Sequence, residues 1–163
     1  MQTPSKNRQF EQLIDQELPK LRGLAFRILK NAADTDDAIQ EALVKAYQHF
    51  DMFKNDKASL TTWVCRITVN CSYDILRKRV SEQKKLEGYT PDSSDSAINT
   101  EPLTRAIADL PEPYRDAITF GVLSGYDGKA AAKLLGISTN TLYQRIFKAK
   151  QMLKTTLTQE NQK

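Results

Sequence analysis

A run of polar, aromatic and basic side chains near the C-terminus has the composition of a surface that contacts DNA bases. It lies in residues 136–151, GISTNTLYQRIFKAKQ. Gln can pair with adenine, Arg and Lys can pair with guanine, and an aromatic ring or a Thr methyl can contact the methyl group of thymine. Lys side chains also suit phosphates. The residues predicted to point outward here are Asn140, Thr141, Tyr143, Gln144, Phe147, Lys148 and Gln151, with Arg145 at the edge.

These side chains would be presented by a helix-turn-helix. The pattern consists of a short helix, KAAAKLLG, then a three-residue corner, GIS, and then a second amphipathic helix. Gly136 permits the positive φ or the close approach that such a corner needs, and Ser138 can cap the helix that follows. The residues predicted to face inward on the second helix are Leu142, Ile146 and Ala149. The alternative is a helical hairpin with a solvated basic face.

Apolar residues recur at helical spacing along most of the chain, and no alternation typical of strands competes with them. Three such stripes cover residues 14–28, 39–50 and 60–75, and predict a three-helix unit in the first 80 residues. The run Asp34-Thr35-Asp36-Asp37 and Ser59 offer capping oxygens where the second and third stripes begin. Helical spacing resumes at Leu103 and predicts four further helices.

The stretch 81–101, SEQKKLEGYTPDSSDSAINTE, nearly lacks large apolar residues and is rich in Ser, Asp, Gly and Pro. This composition predicts a flexible linker over residues 81–100. One long surface loop inside a single domain is the alternative, but unstructured loops of this length are uncommon in compact folds. The expected fold class is all-α, with two small helical domains joined by the linker.

The charge balance is compatible with an anionic partner but decides little by itself, whereas the composition argues against several other classes of protein. The net charge is +4, from 24 basic and 20 acidic residues, and only one acid, Glu160, follows Lys129. The two cysteines and one histidine lack zinc-site spacing, and Cys65 and Cys71 are predicted to be buried or half-buried thiols in a reducing cytosol. A Gly-rich phosphate loop and a nucleophile elbow are both missing. No apolar run approaches about 20 residues, which predicts a cytoplasmic protein without membrane insertion.

Four stretches in order carry a resemblance to a known family. They are LRGLAFRILKNAADTDDAIQEALVKAYQHFDMF, TTWVCRITVNCSYDILRKR, LTRAIADLPEPYRDAITF and LLGISTNTLYQRIFKAK. Together they resemble the extracytoplasmic-function (ECF) sigma factors of bacterial RNA polymerase, in the sigma-70 superfamily. The resemblance implies sigma domain 2 in residues 1–80, a linker in 81–100 and sigma domain 4 in 101–163. It also implies a promoter-specificity subunit with no enzymatic activity, catalytic residue, metal or cofactor.

The resemblance assigns roles to three groups of residues. Those implied to bind the −35 promoter element are Thr139, Asn140, Thr141, Tyr143, Gln144, Arg145, Phe147 and Lys148. Those implied to bind and help melt the −10 element are Lys57, Ser59, Thr61, Thr62, Arg66, Asn70, Arg77, Lys78 and Arg79. Those implied to dock on core polymerase are Asp36, Asp37, Gln40, Glu41, Val44 and Lys45.

The implied partners are promoter DNA, core RNA polymerase and an anti-sigma factor, with no small-molecule substrate. On the polymerase, the implied contacts are the clamp coiled coil of the largest subunit and the flap of the second-largest subunit. A DNA-binding regulator that works alone and dimerises through its N-terminal helices is the rival function.

Each role has a simpler alternative. The acidic residues 34–37 could complement the helix dipole, the basic triplet 77–79 could be a solvated helix end, and Trp63 could be a core residue rather than a stacking platform. The chain also departs from the family pattern. Asn140, Tyr143 and Gln144 replace the usual small and basic residues, while Gly128 and Ala131 replace larger ones and predict a less stable second domain.

Overall fold

The computed structural model describes residues 5–54, 59–86 and 101–162, and these are helical apart from short turns. No strand occurs in these ranges, so the predicted all-α class is confirmed. The first helices are α1 (Lys6–Leu29), α2 (Ala32–Gln48) and α3 (Leu60–Lys85), with a 3₁₀ turn at Phe50–Met52. They are followed by α4 (Glu101–Ala108), α5 (Glu112–Ile118), a π-helical turn at Thr119–Leu123, α6 (Gly128–Leu135) and α7 (Thr139–Glu160).

The chain divides into two compact units, and the division falls inside α3, between Tyr73 and Asp74. In the first unit, α1 and α2 pack against each other. The buried side chains of α1 are mostly large, and those of α2 are mostly small. The buried residues on α1 include Leu21, Leu24 and Ile28. Those on α2 include Ala38, Ile39, Ala42 and Ala46, and the small side chains allow the two helix axes to approach closely.

The cap of α2 lies earlier than the sequence predicted. Asn31 is the N-cap, and its side-chain Oδ1 accepts a hydrogen bond of 3.0 Å from the backbone N–H of Asp34. Lys30, just before it, closes α1 in the left-handed region at φ 56°. Asp34, Asp36 and Asp37 therefore lie inside the first turns of α2, where negative charge complements the helix dipole, and do not cap it.

A cluster around Phe10 joins the start of α1 to the end of α2, and the sequence stripes did not predict it. The ring of Phe10 makes edge-to-face contacts with Tyr47 at 5.3 Å and with Phe50 at 5.8 Å. Lys6 Nζ lies 5.1 Å from the centre of the Tyr47 ring and 2.7 Å from Asp51 Oδ2. These contacts stabilise about two additional N-terminal turns of α1, ahead of the predicted apolar stripe.

The buried face of α3 contains polar residues whose hydroxyl groups form hydrogen bonds within the same helix. Thr68 donates its hydroxyl to the Val64 carbonyl at 2.9 Å, and Ser72 donates to the Thr68 carbonyl at 2.8 Å. Buried hydroxyls bonded in this way carry little desolvation penalty.

The helix α3 also continues through Lys85, so the predicted linker is wrong for residues 81–85. Those residues include Glu, Gln and Lys, which are good helix formers even where no apolar stripe buries them. The rest of the predicted linker, from residue 87, lies outside the described residues.

Both cysteines are buried free thiols, as predicted. Burial raises the pKa of the Cys65 thiol to about 11 from 9.0, Lys20 lowers it by a smaller amount, and Glu17 raises it further. Because the thiolate is the nucleophile, folded Cys65 should react slowly with alkylating reagents at pH 8. The unfolded thiol ionises at lower pH than the folded one, so this residue's contribution to stability is complete below about pH 9 and declines as pH rises towards about 11.

We therefore expect iodoacetamide to label Cys65 at least tenfold more slowly in the native protein than in about 8 M urea. Small domains are usually unfolded at about this concentration of urea. Mass spectrometry of tryptic peptides measures the two rates. A Ser5→Cys variant supplies a matched exposed thiol, since Ser5 is exposed. Native labelling of Cys65 at the rate of that exposed thiol would contradict the burial argument.

The second unit gathers α4–α7 around a core of large and small apolar residues. Ile118 and Phe120 are buried at the end of α5 and in the π-helical turn that follows it. Leu142, Ala149 and Leu153 on α7 are buried as well. Four helices follow residue 100, as predicted, and the π-helical turn is an addition that no sequence stripe indicated.

Candidate DNA-binding and polymerase-binding surfaces

The corner between α6 and α7 has the geometry of a helix-turn-helix. Gly136 adopts φ 68°, and the Ile137 N–H donates to the Ala132 carbonyl at 3.0 Å, which closes α6. Ser138 Oγ accepts a hydrogen bond of 3.0 Å from the Thr141 N–H and so caps α7. The positive φ of Gly136 and the capping role of Ser138 are both confirmed, and together they fix the direction in which α7 leaves the corner.

The outward face of α7 displays most of the predicted DNA-contacting side chains. Leu142, Ile146 and Ala149 are buried, as predicted. The predicted residues that are exposed on this helix are Asn140, Tyr143, Gln144, Phe147 and Lys148. Those that are half-buried are Thr139, Thr141 and Arg145.

Two aromatic rings dominate the exposed face of α7. Tyr143 is 56% exposed and Phe147, one turn later, is 65% exposed. Two large rings exposed one turn apart form an apolar patch, a feature common on surfaces that bind other macromolecules. Gln144 and Lys148 alternate with the rings and supply hydrogen-bond donors and positive charge.

The small residues of α6 have a structural explanation. Ala131 is fully buried, and the space that a side chain at Gly128 would occupy is filled by Tyr143 from α7. The apolar area lost at position 128 is thus partly recovered from the neighbouring helix. The sequence stripes could not indicate this, because the two residues are 15 positions apart and lie on different helices.

The predicted −10 residues are spread along α3 and the turn before it. Ser59 caps the helix: its Oγ accepts from the Thr62 N–H at 3.2 Å and shares a hydrogen bond of 2.9 Å with Thr62 Oγ1. Thr62 is therefore buried and engaged in the cap, while Thr61 is half-buried. Arg66 and Asn70 are exposed one turn apart on α3. Lys57 lies outside the described residues.

Further along α3, the basic triplet is only partly open to solvent. Lys78 is exposed, whereas Arg77 and Arg79 are half-buried. Arg77 Nη1 donates to Asp74 Oδ1 at 3.2 Å, which anchors its guanidinium on its own helix. Trp63 is half-buried with its ring 5.3 Å from that of Phe53, so it contributes to packing and keeps one part exposed.

The predicted polymerase-binding residues share one side of α2, opposite the face that packs on α1. Five of them, Asp36, Asp37, Gln40, Glu41 and Val44, are exposed, and Lys45 is half-buried. Val44 is 53% exposed and forms an apolar centre on this side.

Two acidic residues on this side, Asp36 and Glu41, form ion pairs within the chain. Arg22 Nη1 lies 2.5 Å from Asp36 Oδ1, and Lys45 Nζ lies 2.6 Å from Glu41 Oε1. An apolar centre with a charged rim is the usual anatomy of a protein–protein contact surface. We call the six predicted polymerase-binding residues, Asp36, Asp37, Gln40, Glu41, Val44 and Lys45, the α2 surface. This surface suits a helical partner that carries charge.

Groups of metal-ligating residues and membrane-spanning helices are both absent from the described ranges. Within residues 5–54, 59–86 and 101–162, no three His, Cys, Asp or Glu side chains come together as metal ligands. The helices described there also lack a stretch apolar and long enough to span a bilayer.

The fold defines an all-α protein with a helix-turn-helix in its second unit, an arrangement typical of DNA-binding proteins. Family comparison narrows this class. Residues 13–82 match the description Sigma-70 region 2, and residues 100–153 match Sigma-70, region 4. The chain belongs to the sigma-70 family of RNA polymerase sigma factors, in its ECF group. It is thus a sigma factor that directs transcription initiation at promoters, and the resemblance seen in the sequence is confirmed.

Named relatives agree with this assignment. RNA polymerase sigma factor SigV of Bacillus subtilis is 28% identical over 142 residues, which cover 85% of this chain and 84% of SigV. ECF RNA polymerase sigma factor SigM of Mycobacterium tuberculosis is 29% identical, covering 88% of this chain and 74% of SigM. The ECF RNA polymerase sigma-E factor of Escherichia coli is also 29% identical, covering 88% and 84%.

Among solved structures, the sigma factor RpoE in complex with the anti-sigma factor NepR from Bartonella quintana has a similar fold. The TM-score is 0.56 at 25% sequence identity, with 93% of this chain and 98% of that chain covered. CnrH in complex with the cytosolic domain of CnrY gives a TM-score of 0.55 at 24% identity, covering 93% and 88%. Both confirm the helical architecture.

Proposed function

We propose that α7 binds the −35 promoter element in the major groove, with Asn140, Tyr143, Gln144, Phe147 and Lys148 at the contact. The observation that carries this proposal is the capped corner at Gly136 and Ser138, which projects α7 with exposed rings and donors on its outer face. A helix of this width fits the major groove of B-DNA, where base edges are distinguishable. Thr139, Thr141 and Arg145 flank the contact and suit phosphates.

We further propose that the α2 surface docks on the clamp coiled coil of the largest polymerase subunit, while α3 contacts the −10 element. Arg66, Asn70 and Lys78 are the most accessible contacts on α3. Thr62, buried in the helix cap, supports the turn rather than the DNA strand. In this assignment sigma domain 2 continues to the end of α3, and sigma domain 4 begins with α4. The flap of the second-largest subunit is the proposed partner of sigma domain 4.

We also propose that the protein works in the cytoplasm as a non-enzymatic subunit and is held inactive by an anti-sigma factor. The support is indirect: RpoE of Bartonella quintana, which has a similar fold, was solved with the anti-sigma factor NepR. Exposed rings such as Tyr143 and Phe147 would gain from being covered when no promoter is bound.

An in vitro comparison tests the proposed assembly. Purified protein is incubated with promoter fragments alone and with bacterial core RNA polymerase, and complexes are resolved by native gel. Specific retention of promoter DNA only when core polymerase is present supports the proposal. Specific retention by the protein alone, at similar affinity, would favour the independent regulator.

Lys148→Ala tests the −35 contact. The side chain is exposed on the outer face of α7, and loss of a good base contact should weaken promoter binding by about 1–3 kcal/mol. Fluorescence anisotropy of the polymerase complex on promoters with intact and scrambled −35 elements measures the effect.

The matched control for this test is Lys154→Ala, an exposed lysine six residues further along α7 and on another side of the helix. It should leave promoter binding nearly unchanged. A loss for Lys148→Ala that is equal on every −35 sequence would reassign Lys148 to a phosphate contact.

A further inference from the structure

Gly128, the first residue of α6, lies directly against the ring of Tyr143 on α7. A Cβ atom placed on Gly128 would overlap the Tyr143 hydroxyl oxygen and lie 2.9 Å from Cζ of the ring. Cβ atoms in proteins do not approach other heavy atoms this closely. Any residue other than glycine at position 128 would therefore force the Tyr143 ring to a different position.

The backbone at Gly128 does not itself call for glycine. The glycines with positive φ in the described residues are Gly125 and Gly136, and Gly128 opens α6 with ordinary helical geometry. Asp127 caps this helix by accepting a hydrogen bond of 2.8 Å from the Ala130 N–H. Alanine is the better helix former, so the contact with Tyr143 is the feature of this position that favours glycine.

Tyr143 is held on one side and open on the other. Its ring rests against the start of α6 while 56% of the residue remains exposed, next to Gln144 and one turn before Phe147. Within the described residues its hydroxyl makes no hydrogen bond, so the contact between the ring and α6 is a van der Waals contact. An aromatic ring placed in this way offers its free edge for apolar contact with the methyl group of a thymine.

We propose that Gly128 is a positioning residue for promoter recognition: by lacking a side chain, it lets Tyr143 lie against α6 in the orientation that contacts one thymine methyl of the −35 element. Position 128 thus helps to set sequence preference without touching DNA. This inference rests on the proposed binding of α7 to the −35 element. It also joins two departures from the family pattern, at positions 128 and 143, into one feature.

The test replaces each thymine of a −35 element by deoxyuridine, which removes only the 5-methyl group. Binding of the duplexes to the protein assembled with core polymerase is measured by competition. The wild type should lose about fourfold in affinity at one position, the factor expected for burying one methyl-sized group. Tyr143→Ala and Gly128→Ala should each abolish the difference between thymine and deoxyuridine at that position.

A double variant and a neighbouring control separate positioning from folding. Gly128→Ala in a Tyr143→Ala background should behave as Tyr143→Ala alone, because the side chain that the new methyl group displaces is gone. In this double variant the methyl group at position 128 has room, because the Tyr143 ring is absent. The double variant therefore stays informative if Gly128→Ala folds poorly. Lys129→Ala, at an exposed position next along α6, should keep the wild-type sensitivity.

Each result decides between the two proposals. A wild type without any −35 sequence preference would overturn both the assignment of α7 and this inference. A wild type that prefers its −35 sequence but ignores every deoxyuridine would overturn the inference alone. So would a folded Gly128→Ala variant that retains the full deoxyuridine effect at the same position.

Discussion

Replacing Glu41 by Lys should lower the affinity for core RNA polymerase by at least about 100-fold, since like-charge juxtaposition in an interface costs several kcal/mol. Glu41 lies in the α2 surface, and its Oε1 accepts a salt bridge of 2.6 Å from Lys45. The substitution changes the local charge by two units and places two lysines one turn apart. Within the free protein this costs only a few tenths of a kcal/mol, so helicity should be preserved.

Biolayer interferometry with immobilised core polymerase measures the effect. The matched control is Glu11→Lys, the same charge reversal at an exposed position of α1 in the same unit. It should bind as the wild type does. Glu41→Gln should give an intermediate loss, because it removes the charge without reversing it. Wild-type affinity for Glu41→Lys would refute the docking assignment of α2.

Leu142→Ala should destabilise the second unit by about 2–5 kcal/mol, the range seen when a fully buried leucine is truncated in a core that cannot collapse. Leu142 is completely buried on α7, two helical turns before Ala149, which is equally buried. A helical domain of about 60 residues has little stability to spare. We therefore expect loss of the folded helix-turn-helix and of transcription that depends on the −35 element.

Hydrogen exchange with mass spectrometry locates this effect. Peptides from α5–α7 should lose protection, whereas peptides from α1 and α2 should keep it. Leu157→Ala is the matched control, since it truncates the same side chain on the same helix at a half-buried position. Its effect should be clearly smaller. Equal protection of α7 in Leu142→Ala and wild type would mean that Leu142 does not hold the unit together.

The helices and the corner between α6 and α7 could be predicted from the sequence, because they depend on residues close together in the chain. Stripes of apolar residues indicated the helices. The corner was predicted because the conformation of Gly136 and the cap formed by Ser138 involve only residues a few positions away. The inward and outward sides of α7 followed from the spacing of Leu142, Ile146 and Ala149. The assignment to the family came from motifs in order, rather than from any one pattern.

Features that depend on contacts between distant residues were not predicted. Helix α1 begins at Lys6 because Phe10 packs on rings at positions 47 and 50, which no stripe could indicate. The end of α3 was placed too early, because loss of the apolar stripe was equated with loss of the helix. The fit of Tyr143 against Gly128 is likewise a tertiary contact, and it became visible only when α6 and α7 were placed side by side.

The Phe10 cluster also bears on how the chain is made. The contacts of Lys6 with Asp51 and of Asn7 with Tyr47 span 45 and 40 residues of sequence. At ordinary translation rates, residues near Phe10 emerge from the ribosome roughly 2–8 s before their partners. During that interval the aromatic side chain remains uncovered on a nascent helix, and it becomes shielded only when the 3₁₀ turn after α2 has been synthesised.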